Sequence, residues 1–439
     1  MEEIKSVTVV SPDWIVGRYF SEKRFCKEFL SLHPMAYQDG CFYDVNGRVP
    51  EEEVRGSVYD LLSSKTETTL SKRVNAVMDV LKMECRRVPI REEETLIHCK
   101  NGTYSLGTES FTTEKHICRH RLPVAYNPNA PEPKLWISFL NQLLEDGDTL
   151  TLQDFLGYCL MPVNYAQKML LIIGSGGEGK SRIGIVLHAL LGQGMCNGSL
   201  AKVESSPFAR ADLQNRLVMV DDDLSLSALS STHHLKSLIT AEQPMDLERK
   251  GVQSYQGKVY CRFLAFGNGS LRALHDRSHG FFRRQIILTT KEREPDREDD
   301  PFLAQRLKGE LEGILLWCIA GAQRLIYNDM QFIITPKAKE NSESAAADGN
   351  NVLSFLNSQG YIRFDPEGTL TSRRLYSLYT DWCEDNMLPP LSARSFVVSL
   401  NQSAQDYGLH YSNGISAGNG RRVRGFSGIR GCEYYRTGD

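Results

Sequence analysis

A chain of 439 residues is too long for one compact core and implies two or three domains. Its composition, 41% apolar and 24% charged, is that of an ordinary globular protein and excludes a fibrous or disordered chain. A net charge of −3 excludes a global field that would attract nucleic acid, so such a partner must be held by local basic patches.

The start, Met1-Glu-Glu-Ile-Lys, lacks the blocks of a secretory signal, and no apolar run is long enough to span a bilayer. A cytoplasmic location with no membrane contact is therefore expected. The 11 cysteines, scattered from Cys26 to Cys432, fit buried thiols in a reducing compartment. Residues 1–147 read as an α/β region. Cys41-Phe-Tyr-Asp-Val predicts a short strand, and Asn46-Gly47 a turn after it. Helices are predicted over 54–62, 70–83 and, past the Pro-rich break at 126–133, over 134–144. His98, Cys99, His116, Cys118 and His120 invite a zinc reading, but they contain no Cys-x-x-Cys pair. Alternation of His116, Cys118 and His120 predicts instead one face of a plain strand.

Residues 148–335 alternate strand-like apolar runs with helical segments, the pattern of a parallel α/β sheet. Strands are predicted over 169–173, 217–220, 261–266 and 285–288. The first runs directly into Gly174, Ser175, Gly176, Gly177, Glu178, Gly179, Lys180 and Ser181, followed by a helical pattern over 182–191. Each fixed position of G-x-x-x-x-G-K-[ST] is matched. The glycines let successive N–H groups face phosphates, and the helix start adds its positive end. Lys180 is then expected on the β- and γ-phosphates of ATP, and Ser181 on Mg²⁺.

The second strand ends in Asp221-Asp222-Asp223, at the carboxyl edge where α/β sheets bind ligands. Asp221 is assigned to the metal and Asp222 to the base that polarises water, with Asp223 the alternative base. The third strand ends at Gly267-Asn268, and an amide there can hold a phosphate or the attacking water. Arg283 and Arg284 precede the fourth. Residues 336–350 read as a fraying helix and linker, and 351–439 as a small separate domain.

This order of motifs resembles superfamily 3 helicases of the AAA+ class, and most closely the C-terminal part of phage and plasmid primase–helicases. Phe155-Leu-Gly-Tyr-Cys-Leu-Met-Pro, Leu235-Lys-Ser-Leu-Ile-Thr, Phe263-Leu-Ala-Phe-Gly-Asn268 and Gly280-Phe-Phe-Arg-Arg carry the likeness. Asn101-Gly-Thr-Tyr-Ser-Leu and Val124-Ala-Tyr-Asn-Pro resemble the domain ahead of the ATPase. Val352-Leu-Ser-Phe-Leu, Leu375-Tyr-Ser-Leu-Tyr and Ser395-Phe-Val-Val resemble a C-terminal winged helix. The fold this implies is an AAA+ ATPase core with an α/β N-terminal region and a winged-helix domain. The activity implied is ATP-driven unwinding of single-stranded and forked DNA by a homo-oligomeric ring, usually a hexamer. Asn268 becomes the sensor and Arg284, or Arg283, the finger given to the next subunit. The family often carries a primase upstream; the first 95 residues are too few for one, so priming is expected from a separate primase or polymerase.

Between the acidic strand and the Asn268 strand, Met245-Asp-Leu-Glu-Arg249-Lys250-Gly251-Val suggests a hairpin tip. The family carries a pore hairpin at this point, so Arg249 and Lys250 are expected to grip DNA. In the last domain, Arg421, Arg422 and Arg424 lie between glycines, as in a DNA-binding wing, and 392–400 matches a recognition helix that would contact origin duplex. Two other functions fit the same motifs. One is an origin-binding initiator that uses ATP as an assembly switch. The other is a P-loop ATPase acting on RNA or protein.

Overall fold

The chain is described by a computed structural model over residues 12–16, 19–90, 94–224, 231–268, 279–293, 300–349, 351–386, 388, 390–416 and 422–432. At its centre five parallel strands, β1 (Met169–Ile173), β2 (Met195–Asn197), β3 (Val218–Leu224), β4 (Arg262–Gly267) and β5 (Gln285–Thr289), pair in the order β2-β3-β4-β1-β5. Continuous apolar runs make these strands, because both faces are covered. The pleat divides them between two cores. Leu170, Ile172, Val218, Val220, Leu264, Phe266, Ile286 and Leu288 face one core, and Met169, Leu171, Met219, Phe263, Ala265 and Ile287 the other.

Helix Ser181–Leu191 packs on the first face through Ile183, Val186, Leu187 and Leu190. On the same side, helices Asp148–Tyr158 and Leu311–Tyr327 cross in backbone contact. Two glycines permit this: a Cβ on Gly157 would lie 2.3 Å from the Ala322 nitrogen, and one on Gly321 2.2 Å from the Gln153 oxygen. Buried Arg262 donates to the carbonyls of Tyr158 (2.8 Å), Val163 (3.2 Å), Met161 and Tyr260, satisfying acceptors beyond a helix end.

The cores divide the chain differently from the boundary expected at 147. Trp14, Phe25, Phe29, Val58 and Met78 form a core of their own. Ile97, Tyr104, Trp136 and Leu140 instead join the core of the central sheet. The expected strand over 116–120 is absent, and these residues run as irregular chain. Arg121 holds that chain by donating to the carbonyls of Cys99 (2.6 Å), Gly102 (3.0 Å), His116 (3.2 Å) and Val45. The segment expected as a fraying helix and linker is helical through residue 349. It forms helix Pro336–Gly349, whose Asn341 donates to the Ile287 carbonyl (3.1 Å) and Thr289 Oγ1 (3.2 Å) of edge strand β5. Small residues Ala338 and Ala345 let this helix sit close, so it covers a sheet edge.

Beyond it come helix Asn351–Leu356, strand Ile362–Thr371, helices Ser372–Asp385 and Ala393–Ser403, and strands His410–Ser416 and Arg422–Gly431. The three antiparallel strands place Arg422–Gly431 in the middle. Phe355, Tyr379, Trp382 and Phe396 fill a fourth, separate core, with Tyr379 stacked on Phe396 at 4.4 Å. Among the described residues no helix is long and apolar enough to cross a membrane.

Candidate nucleotide site

Where β1 ends, the chain turns through 174–180 before helix Ser181–Leu191 begins. Gly176 (φ +108°), Gly177 (+81°) and Gly179 (+105°) occupy the left-handed region that only glycine adopts freely. Gly174 is needed for room: a Cβ there would lie 2.3 Å from Thr290 Oγ1 and 2.8 Å from Lys180 Nζ. The Gly174 N–H donates to the Gly267 carbonyl of β4 (3.0 Å), which ties the loop to the Asn268 strand end.

Lys180 is buried and folds back into its own loop. Its Nζ donates to Glu178 Oε2 (2.7 Å) and approaches Asn268 Oδ1 at 3.5 Å. Glu178 Oε1 accepts the Gly176 N–H (2.7 Å), and the side chain is 3% exposed. Burial alone would push the Glu178 carboxyl up. The Lys180 ammonium and the Glu178 and Gly176 N–H groups outweigh it and hold the carboxyl below its ordinary range. A carboxylate thus takes up an ammonium and a loop N–H, two donors a phosphate would use. The cradle fits an anion by its own contacts.

A cavity of about 940 Å³ opens over this loop, walled by Gly176 to Arg182, Asp222, Asp223, Asn268 and Asp300. Asp221 does not line it. Its Oδ2 accepts the Leu200 N–H (2.8 Å) at the start of helix Leu200–Ser205, and burial pushes the carboxyl up. Strand alternation gives the reason. Val218 and Val220 face the core beneath helix Ser181–Leu191, so Asp222 continues that face and Asp221 turns to the other. A register shift between Asp221 and Leu224 then leaves both Asp222 and Asp223 exposed at the cavity.

Two cavity neighbours escaped the sequence reading. Thr290 packs beneath Gly174, and Arg293 Nη1 approaches the Gly177 carbonyl at 3.4 Å. Both follow β5 at the sheet edge that carries the loop. The signal available was the rule that ligands gather at carboxyl ends of parallel strands. Arg284 lies elsewhere. It precedes β5, at the edge where β1 begins, and donates to the Gly280 carbonyl. The length of a five-residue strand at about 3.3 Å per residue, roughly 17 Å, separates it from its own cradle.

The 245–257 segment is a two-stranded hairpin, Met245–Arg249 paired with Val252–Gly257, with Lys250 and Gly251 (φ +72°) at its tip. Lys250 is exposed. Arg249 is drawn back onto Gln214 Oε1 (2.9 Å) and lies 5.4 Å from the Tyr255 ring. Arg422 and Arg424 are exposed on the middle strand of the C-terminal sheet, while Arg421 lies outside the described residues. Of the candidate zinc ligands, His98 Nδ1 pairs with Thr103 Oγ1 (3.0 Å) and His120 Nε2 with the Tyr260 hydroxyl (2.7 Å). Among the described residues no three metal-ligating side chains are grouped.

Two family models match the chain. Residues 35–145 match the family described as D5 N terminal like, and 172–284 match a family of unknown function, DUF5906. The second span runs from the end of β1, through the loop and the acids, to Arg284. Among solved structures, the apo structure of the NrS-1 C-terminal region (305–718) is similar, with a TM-score of 0.52 at 12% identity. It covers 92% of this chain and is itself covered over 98%. An A-form apo structure of the same region gives 0.51, also at 12% identity, over 92% and 98% of the two chains. At that identity the likeness is one of fold. The matches fit a phage primase–helicase family.

Proposed function

We propose that this chain is an ATP-driven DNA helicase in the replication of a phage, plasmid or mobile element, working as a ring. The observation that carries the reading is convergence: Lys180, Asn268, Asp222 and Asp223 meet over one cavity at the carboxyl edge of the sheet. The glycines and Lys180 bind the ATP phosphates, and Asn268 orients the terminal one or the attacking water. Ser181 and Asp222 are the side chains that would hold Mg²⁺, which supplies positive charge against the phosphates. Asp223 becomes the base. This moves both acid roles one residue along from the sequence assignment, because Asp221 is committed to Leu200.

Arg284 cannot serve its own cradle across the sheet, which supports a role as finger to a neighbouring copy. The exposed cation at the hairpin tip, rather than an aromatic one, supports nucleic acid over protein as the substrate. The order helix, strand, helix, helix, strand, strand after 350 supports the winged-helix reading, with Ala393–Ser403 as the recognition helix. The test is ATP turnover with and without single-stranded DNA. Stimulation by DNA is expected. ATP-dependent assembly with unstimulated, slow turnover would instead identify an assembly switch.

A further inference from the structure

We propose that a basic furrow, on the seam between the antiparallel sheet of strands Ala36–Gln38, Cys41–Asp44 and Gly47–Val49 and the β2 edge of the central sheet, binds the phosphate backbone of a nucleic-acid strand. Two cavities in series form it. One, of about 500 Å³, is walled by Arg48, Lys100, Lys115, Arg119 and Arg121, with His120 and no carboxylate. The next, of about 580 Å³, is walled by Arg48, Lys202, Arg216 and Arg249, with Asp212 its one carboxylate. Arg48 belongs to both, and Arg216 of the second donates to the Gln193 carbonyl of the first.

These cations are not equivalent. Arg121 is committed to backbone carbonyls, and Arg119 to Asp39 (2.5 Å) and Gln38 (2.8 Å). Both build the walls. Arg48, Lys100, Lys115 and Lys202 are exposed and have no side-chain hydrogen bond or ion pair among the described residues. A chain of net charge −3 therefore gathers four uncompensated cations along one concave track. Their mutual repulsion favours a polyanion lying along the track.

The shape favours a polymer over a free phosphate. The cations are strung out and solvated, not closed into a cup. Among the described residues no Phe, Tyr or Trp lines either cavity, so the walls follow the backbone more than they stack or read bases. The furrow reaches Arg249, next to the hairpin tip, so a bound strand would continue past Lys250. The polymer as ligand rests on the helicase reading above.

The test uses the full chain with Arg48→Gln, Lys100→Gln and Lys115→Gln combined. Anisotropy of a labelled oligothymidylate, without nucleotide, is followed across a salt series, with duplex and inorganic pyrophosphate as parallel probes. Losing three phosphate contacts should flatten the log–log salt slope by about 2 and weaken binding by about tenfold or more. Thermal midpoints check the fold; should the triple variant unfold, Lys100→Gln and Lys115→Gln alone should each flatten the slope by about 0.7. Wild-type affinity and slope in the folded variants would overturn the furrow. So would loss of pyrophosphate binding with oligonucleotide binding unchanged, since that describes a free-phosphate site. A wild-type chain whose ATP turnover ignores DNA would count against the helicase reading, while the salt slopes still decide the furrow.

Discussion

Lys180 and Glu178 hold each other inside the loop proposed to hold phosphate, and that pair sets two expectations. Lys180→Ala removes the fixed cation facing the phosphates, so hydrolysis should fall by at least about 10²–10³-fold. Glu178→Gln removes a competing charge from the same donors. Isothermal titration of ADP should show binding about three- to tenfold tighter, because less of the population has its cradle closed. Weaker binding would mean that Glu178 shapes the loop rather than competing for it. Asp223→Asn should keep ATP binding and lose turnover, and normal turnover would return the base to Asp222. His120 gives a stability test. Its folded pKa of about 3 lies below the unfolded value near 6.5, so the unfolded chain takes up a proton first as pH falls. Stability is full above about pH 6.5 and declines below it, by up to about 1.4 kcal/mol per pH unit. Thermal midpoints between pH 6.5 and 5 should therefore fall less in His120→Gln than in the wild type. At this scale the sequence shows which side chains have reactive chemistry but not where each points. Lys180 is legible from the glycine spacing of its loop, and Asn268 and the acidic run because they follow apolar strands. Asp221 misleads because facing depends on strand parity, and Arg293 carries no motif.

The hairpin sharpens a comparison that the sequence leaves unranked. Arg249 is tied to Gln214 and Tyr255, whereas Lys250 stands at the tip beside Gly251. Lys250→Ala should therefore abolish DNA stimulation of hydrolysis, with Arg249→Ala the milder variant; DNA-free hydrolysis should persist in both. Normal unwinding by the double variant would rule this hairpin out as the DNA grip. The C-terminal unit has its own core, so removing it should spare basal hydrolysis and weaken duplex binding. The cut has to fall after Gly349, because helix Pro336–Gly349 covers strand β5. Unchanged duplex affinity would remove the winged-helix role. Long periodic elements were legible in advance: β1 matches its expected span, and helices Glu51–Ser63, Leu70–Cys85 and Lys134–Leu143 stand where periodicity puts them. Strand β2 has three residues, too few to show a period. Helix Pro336–Gly349 is polar with small residues, so its packing against β5 leaves no apolar stripe to read.

For the whole molecule, the sheet separates the cradle from Arg284, and in the proposed ring a neighbouring copy would close that gap. Arginine fingers contribute about 10³–10⁵ in rate in GTPases, so an isolated subunit should be a poor ATPase. Inactive Lys180→Ala and inactive Arg284→Ala proteins should partly rescue each other when mixed, since some interfaces then join an intact cradle to an intact finger. No rescue in mixed rings would place the finger elsewhere, with Arg283 the next candidate. The central claim is that the 174–181 loop drives DNA unwinding, and displacement of a labelled strand from a forked duplex tests it most directly. The account predicts displacement that requires ATP and Mg²⁺ and disappears in Lys180→Ala. Vigorous ATP hydrolysis by assembled wild-type protein with no strand displaced from any fork would contradict it.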